Sequence, residues 1–453
     1  MNSGQSTASY DYAALLSQSF LFYEAQRSGA LPSTNRVNWR SNSALTDAGP
    51  NGEPLAGGQY DAGDHLKLTF PYGSTTATLA WGVLEFQTAY STAGVLPYAL
   101  DQLRWAATFL MAAHIAPLQY VAQVGLALND HAYWGRPEDM TMARPAYIND
   151  PSKPASDLLG SVSAGLAATS LVFQPVDTTF SAKCLSEAQA LYTFGTTYLG
   201  KYSAYGIDQL YPSSNYTDDL SYAAAWLYRA TGQQSYLTDA MSFSNQSTTV
   251  DLSLKTPVFN WDNAIWGTSC LLATMGVPQK AKFATQIETF FASWMQGTNG
   301  INYTTKGLAY SSDFGPLRNT ANTGLLAVIY SNHLSDATLA TKLRCWAQSQ
   351  IRYMAGDAGM SYVVGAGTNP PTHVHNRAAS CPWPSVGGCD WSTYTSSNPN
   401  SHVLSGALVG GPFLDDSFTD ARSNYQQNEP SLDGNAGWSG VLAALLSPSM
   451  PSW

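Results

Sequence analysis

The sequence predicts an all-α protein carrying long loops, and three observations lead there. Apolar residues recur at spacings of three and four from end to end, the period of a helix with a buried face. Strand-like alternation is scarce. Stretches rich in Gly, Pro, Asn and Tyr separate the periodic runs, at residues 29–75, 116–157, 297–319 and 355–436.

Taken in order, the first helix is expected over Ala13–Arg27. Leu79, Val83, Phe86 and Tyr90 then form one apolar stripe, Leu100, Leu103, Ala107 and Leu110 a second, and Leu159, Val162, Leu166 and Thr169 a third. Further helices are expected over Ala182–Leu199, Asp218–Ala230, Asn263–Met275, Lys280–Met295, Thr320–Tyr330, Ala337–Met354 and Gly437–Leu446. Roughly ten to twelve helices would leave about 38 residues for each helix and its connection, against a mean helix of about 12. The surplus falls in the four long loops. No Pro/Ser/Thr linker divides the chain, so residues 1–453 are read as a single domain. Long structured loops on a helical scaffold usually carry function, so the chemistry is sought there.

Composition narrows the partners. Charged residues make up 11% of the chain and aromatic residues 12%, where about a quarter of an average sequence is charged. With 21 Lys+Arg against 31 Asp+Glu, the net charge is −10, and no basic run is present to neutralise phosphates. Nucleic acid and anionic membranes are therefore not expected partners. No run of about 18 apolar residues offers a bilayer span.

Five cysteines leave at least one unpaired within the chain, and Cys381 and Cys389, eight apart in a Pro/Gly-rich loop, are the plausible bridge. Cys184, Cys270 and Cys345 read as inert thiols. Met1 to Ser6 has neither the basic nor the apolar stretch of a signal peptide, which leaves an intracellular chain or a mature secreted form. The acceptor triplets at Asn215, Asn245 and Asn302 favour secretion.

Three loop motifs carry chemistry. The first is Tyr60-Asp61-Ala62-Gly63-Asp64-His65. Two carboxylates three apart around a glycine can converge on a water or a metal, and their repulsion would split their proton affinities so that one acts as a base. The competing reading is an Asx-type turn with a solvated Asp. The second runs from Phe418 to Trp438 and holds Asp420, Tyr425 and Glu429. An acid flanked by Asn428 and Pro430, four residues after an aromatic, suits a partly dry cleft that raises its pKa for proton donation. The alternative is a capping stretch, Asp433–Trp438, that opens the last helix. The third, Ser361–Arg377, contains His373-Val374-His375-Asn376-Arg377. With no further ligand at metal spacing and an Arg nearby, it is read as binding hydroxyl groups rather than a metal.

Together these motifs resemble glycoside hydrolase family 9, the endoglucanase-type cellulases, over nearly the whole chain. The resemblance implies an (α/α)6 barrel of twelve helices with a cleft at one mouth, and endo-β-1,4-glucanase activity with inversion. It assigns Asp64 as general base, Asp61 as a second holder of the attacking water, Glu429 as general acid and Asp420 as a further active-site carboxylate. His375, Arg377 and Tyr425 fall in the substrate site. Gln123-Val124-Gly125 with Asp130 to Met140 resembles the family's cleft loop, placing His131 and Trp134 against sugar. Two departures stand out. Many members read Gly-Asp-Gly where this chain has Gly125-Leu126-Ala127, and His-His-Arg where it has His375-Asn376-Arg377.

Ser214, Asn215, Asp218 and Asp219, with Asp262, resemble the family's structural calcium site, and a hard cation wants such oxygen ligands. The competing reading has Thr217 or Asp218 capping the following helix. The expected partners are cellulose or another β-1,4-glucan and cello-oligosaccharides. The enzyme is expected to be a secreted monomer, with no cofactor needed for catalysis. Trp134, Tyr216, Trp261, Trp266 and Tyr310 are candidate sugar platforms, Trp134 and Trp261 foremost because they sit beside motif residues. Two other readings compete: another (α/α)6 carbohydrate enzyme, such as a polysaccharide lyase, and a non-catalytic glucan-binding protein. Four carboxylates in the cleft would repel acidic uronates, and their retention argues against a dead cleft.

Overall fold

The computed structural model describes residues 9–205, 210–250 and 256–450, with backbone alone at 248–250. The N-terminal stretch Met1–Ser6 lies outside them. Among the described residues, twelve long helices alternate between an outer and an inner ring. The inner ring consists of α2 (Thr69–Thr92), α4 (Ser156–Phe173), α6 (Thr217–Thr231), α8 (Ile265–Thr274), α10 (Pro316–Ser331) and α12 (Leu432–Leu445). Each packs on the next, and α12 returns to α2, so the ring closes. The outer helices are α1 (Tyr12–Ala25), α3 (Leu96–Ala112), α5 (Thr178–Thr197), α7 (Gln234–Val250), α9 (Lys280–Gln296) and α11 (Ala337–Arg352). This is the expected (α/α)6 barrel.

Composition explains which ring a helix joins. The helix α4 is long and apolar enough to cross a membrane, yet 94% of that stretch is buried in the protein, as an inner helix covered on every side must be. Small residues let such helices approach closely. A Cβ on Gly82 of α2 would lie 3.0 Å from the Gly440 Cα of α12, so the ring closes backbone against backbone. Trp81 and Trp226, fully buried, meet edge to face at 5.3 Å on the inner side.

The connections from inner to outer helix are short: 93–95, 174–177, 232–233, 275–279 and 332–336. Caps suffice to turn the chain. Asp177 accepts from the Phe180 amide at the start of α5, Asp336 accepts from the Thr338 and Leu339 amides at the start of α11, and Gly232 ends α6 in the left-handed conformation. All the long loops run from outer to inner helix and so gather at the opposite end.

Two features differ from expectation. The helix α7 was not anticipated, because its Ser, Thr, Gln and Asn content blurs the stripe that Leu237 and Ala240 bury. The long loops also hold short strands. Chief among these are β1 (Lys67–Leu68), β2 (His114–Ala116), β3 (Gln119–Val124) and β4 (Ala146–Asn149), an antiparallel sheet in which Lys67 pairs with Val124 and Leu68 with Gln123. This sheet stitches the first motif loop to the second long loop.

Candidate active site

The first motif is a tight turn pinned on every side. Its ends meet through the Asp61 amide, which donates to the Leu66 carbonyl at 2.9 Å. Gln26, at the end of α1, donates its side-chain amide to the Tyr60 and Ala62 carbonyls. Amides of the last long loop reach the turn too, Arg377 N donating to Gly63 O at 3.0 Å and Leu432 N to Asp61 O at 2.9 Å. Gly63 is where the two catalytic motifs touch. Its amide donates to Glu429 Oε1 at 2.9 Å, and a Cβ there would lie 2.2 Å from the His375 carbonyl. No larger residue fits.

The carboxylates on this turn have different surroundings. Asp61 is buried, and its Oδ2 accepts from the Tyr211 hydroxyl at 2.5 Å, while Oδ1 has no hydrogen-bond partner in the protein. Burial, reinforced by the neighbouring Asp64 charge, pushes Asp61 well above the ordinary carboxylate range. Asp64 is more open, with 11% of its side chain exposed, yet its partial burial alone would raise it. The hydrogen bond from His131 Nε2 (3.3 Å) and the charge of Arg377 outweigh burial and hold it below its ordinary value. The same contact raises the His131 imidazole.

Glu429 follows the short turn Tyr425–Asn428. Burial and the Asp64 charge push it up, opposed by His375, whose Nε2 lies 3.9 Å from Oε1. The sequence motif thus yields one carboxylate poised to stay ionised and, across Gly63, another poised to keep its proton.

The predicted residues converge unevenly. Asp61, Asp64, His131, Trp134, Trp261, His375, Arg377, Tyr425 and Glu429 all line one cleft of about 930 Å³ at the long-loop end. Asp420 does not line it. Its carboxylate accepts from the Thr372 and His373 amides, the Thr372 hydroxyl and Asn428 Nδ2, all at 2.8–2.9 Å. Burial would raise Asp420, but these donors hold it low, and Asn428 ties it to the turn that leads into Glu429.

The aromatic platforms also shift. Trp134 is only 2% exposed, donates Nε1 to Ser380 Oγ, and packs against Tyr394, Trp391 and His375, so it is a wall with an edge in the cleft. Trp261 is partly buried edge-on against Tyr211 and Phe70. Tyr216, Trp266 and Tyr310 lie outside the lining; Trp266 stacks on Phe290 in the core. The open faces belong instead to Phe314 (46% exposed), Trp391 (44%) and Tyr425 (49%). Phe314 and Trp391 were missed, although both fall within the long loops flagged by composition. Tyr211 and Arg318, also in the lining, were missed for want of a motif.

The proposed calcium loop is knit to its neighbours. Ser214 N donates to Asp262 Oδ1 (2.7 Å), and Ala264 N donates to Asp218 Oδ2 (2.8 Å). Asp218 and Asp219 are buried side by side in the first turn of α6. Asn215 Oδ1 accepts from the Tyr216 and Thr217 amides, so Asn215, rather than Thr217 or Asp218, forms the turn into α6. Lys201 Nζ reaches the Ser214 carbonyl at 3.4 Å. The three carboxylates and the Ser214 carbonyl are hard oxygen donors that suit calcium. A separate group, Asp64, Asp130 and His131, places its ligand atoms within 4.8 Å of one another and could hold a metal ion. Cys381 and Cys389 are bonded, with Cα atoms 5.3 Å apart, and fasten the loop that leads to Trp391.

Comparison with known proteins agrees with this geometry. The profile of glycosyl hydrolase family 9 matches residues 12–442. Endoglucanase B of Cellulomonas fimi is 41% identical over 96% of this chain, which spans only 42% of that relative's length. The structure of an endoglucanase from the termite Nasutitermes takasagoensis superposes with a TM-score of 0.91 at 44% identity, covering 97% of this chain and 99% of the other. The cellulase Cel9M of C. cellulolyticum, solved in complex with cellobiose, gives a TM-score of 0.88 at 34% identity, with coverage of 97% and 99%. In sequence, in its two rings of helices and in its paired catalytic loops, the chain belongs to glycosyl hydrolase family 9.

Proposed function

We propose that this chain is an endo-β-1,4-glucanase that cleaves internal bonds of cellulose or related β-glucans by single-displacement inversion, the stereochemistry of its family. One observation carries the reading above all: the Gly63 amide, next to Asp64 in the chain, donates to Glu429 Oε1, so the two carboxylates face one cleft, where His131 and Arg377 draw Asp64 below its ordinary value and burial pushes Glu429 above its own. Glu429 gives that proton to the glycosidic oxygen as the C1–O bond breaks. A water attacks C1 from the opposite face and passes its proton to Asp64. Inverting enzymes leave roughly 6.5–9.5 Å between the two carboxyls for that water. Asp61 Oδ1, which takes no hydrogen bond from the protein, is the second acceptor for it. Phe314, Trp391 and Tyr425 offer ring faces to the flat apolar faces of the sugars, and His131, His375 and Arg377 offer hydrogen bonds to hydroxyls. Cello-oligosaccharides are the soluble ligands.

Residues 1–453 are read as one catalytic domain acting as a monomer. Secretion is supported by the Cys381–Cys389 bond, which persists in oxidising compartments. Calcium bound by Ser214, Asn215, Asp218, Asp219 and Asp262 would brace the loop before α6 by ionic ligation, without a part in bond cleavage; a thermal midpoint unmoved by excess EDTA would count against it.

The decisive experiment follows the hydrolysis of a soluble β-1,4-glucan by proton NMR. The α-anomer should appear first, with a rapid fall in polymer length. First appearance of the β-anomer, formation of unsaturated ends, or no new reducing ends would each overturn the assignment.

A further inference from the structure

Asp130 belongs to none of the catalytic roles above, yet three loops meet at its carboxylate. It is 1% exposed, in a short helical turn (Ala127–His131) of the second long loop. Its Oδ1 accepts from Arg377 Nη1 at 2.5 Å, a residue of the last long loop. Its Oδ2 accepts from the His65 amide at 3.1 Å, immediately after the base in the first loop. The next residue along its own turn, His131, donates to Asp64. The guanidinium it holds lies over the Trp134 ring, 5.5 Å from the centroid, and is itself buried.

A buried carboxylate with no opening to the cleft is costly to keep unless its partners compensate it. Here the compensation also fixes the surroundings of Asp64. The Arg377 charge and the His131 hydrogen bond both favour ionised Asp64; Asp130 binds the first directly and precedes the second in the same short helical turn.

We propose that Asp130 is a positioning residue for the general base: it holds the Arg377 guanidinium and the His65 amide in the places from which they set the Asp64 carboxylate. The proposal rests on the assignment of Asp64 as base. Asparagine can still accept from the His65 amide but loses the anionic partner of Arg377, so the substitution isolates the second contact. A misplacement of the reacting groups by about 1 Å can cost on the order of 10²-fold in rate.

The test measures Asp130→Asn on a soluble cello-oligosaccharide, with Asp64→Asn in parallel and oligosaccharide affinity determined by calorimetry. The expected result is a kcat lowered by about 10- to 100-fold, with a much smaller loss of oligosaccharide affinity through the hydroxyl contacts of Arg377. A kcat within about twofold of the parent, or a loss of affinity as large as the loss of kcat, would overturn the proposal, the latter because it signals uniform loss of substrate binding. Should Asp130→Asn fail to fold around an unpaired Arg377, the pair is replaced together. The double variant Asp130→Asn/Arg377→Gln buries no unpaired charge, and its kcat should match that of Arg377→Gln alone. Multiplied losses would overturn the route through Arg377. If Asp64→Asn remains active, the base assignment fails. If it is inactive while Asp130→Asn is unimpaired, only the present inference fails.

Discussion

The two ends of the barrel are built from the same helices and do opposite things. At one end, connections such as 232–233 and 332–336 turn the chain with a cap or a glycine and nothing more. At the other, long loops carry a sheet, a disulfide and most of the cleft lining, which the first turns of α10 and α12 complete with Arg318, Asn319 and Gly434. The difference teaches where this molecule keeps stability and where it spends it. Closed-end residues satisfy their own helix termini, whereas the open end holds buried carboxylates that the fold pushes away from their preferred protonation states.

If that division is real, substitutions should separate activity from stability. The largest effect is expected from Glu429→Gln, with turnover of β-1,4-glucan falling on the order of 10²-fold or more while the thermal midpoint stays close to the parent's. Comparable loss is expected for Asp64→Asn, partly restored by azide. The parent's pH profile should be bell-shaped. Asp64 must be ionised, and it is held below its ordinary 3.8, so activity falls only in strong acid. Glu429 must be protonated, and it is raised above 4.5, so activity falls again as pH rises past that higher value. A profile with no alkaline limb would remove Glu429 as the acid.

Next in size is Gly440→Leu, which forces a side chain into the contact of α12 with α2 and α10, where even a Cβ would lie 2.7 Å from Leu325. Overpacking should cost about 1–3 kcal/mol in denaturant unfolding, with turnover per folded molecule preserved.

Asp61→Asn probes the open end from the other side. A carboxyl whose folded pKa is raised contributes stability below its ordinary 3.8 and loses it as pH rises. At neutral pH the amide should therefore stabilise the protein, by about 0.5–2 kcal/mol, while lowering turnover. A lower melting point at neutral pH would contradict the reading of Asp61 as strained by its burial.

The smallest effect belongs to Asp336→Ala at the closed end, a lost cap worth about 1 kcal/mol in chemical denaturation. Any change in turnover from that variant would blur the division.

Legibility in the sequence followed the same boundary. Helices with clear stripes, such as those of α3 and α4, announced themselves through apolar spacing alone, while α7 hid because hydroxyl and amide side chains filled the positions between Leu237 and Ala240. That Asp64 and Glu429 would share one cleft was legible because each sits in a short motif, and the two motifs meet at Gly63. The sugar-facing rings were less so. Whether a tryptophan is a platform or a wall depends on what packs over it, and nothing near Trp134 in the chain reveals that Trp391 and Tyr394 will cover its ring. The partners of Asp420 were hidden for a similar reason: Thr372 and His373 come from another part of the loop, and nothing in the motif around Asp420 names them.

The closure of the inner ring has a further consequence. Asp64 lies just ahead of α2, the first inner helix, and Glu429 just ahead of α12, the last, and the two helices become neighbours when the ring closes, Gly82 against Gly440. Acid and base are thus the two ends of a clasp. A chain emerging from the ribosome would own its base early and could use it only after the final helix had been released and seated. On the proposed assignment, activity would require completion of the whole circle, and a fragment lacking either end would lack one member of the pair.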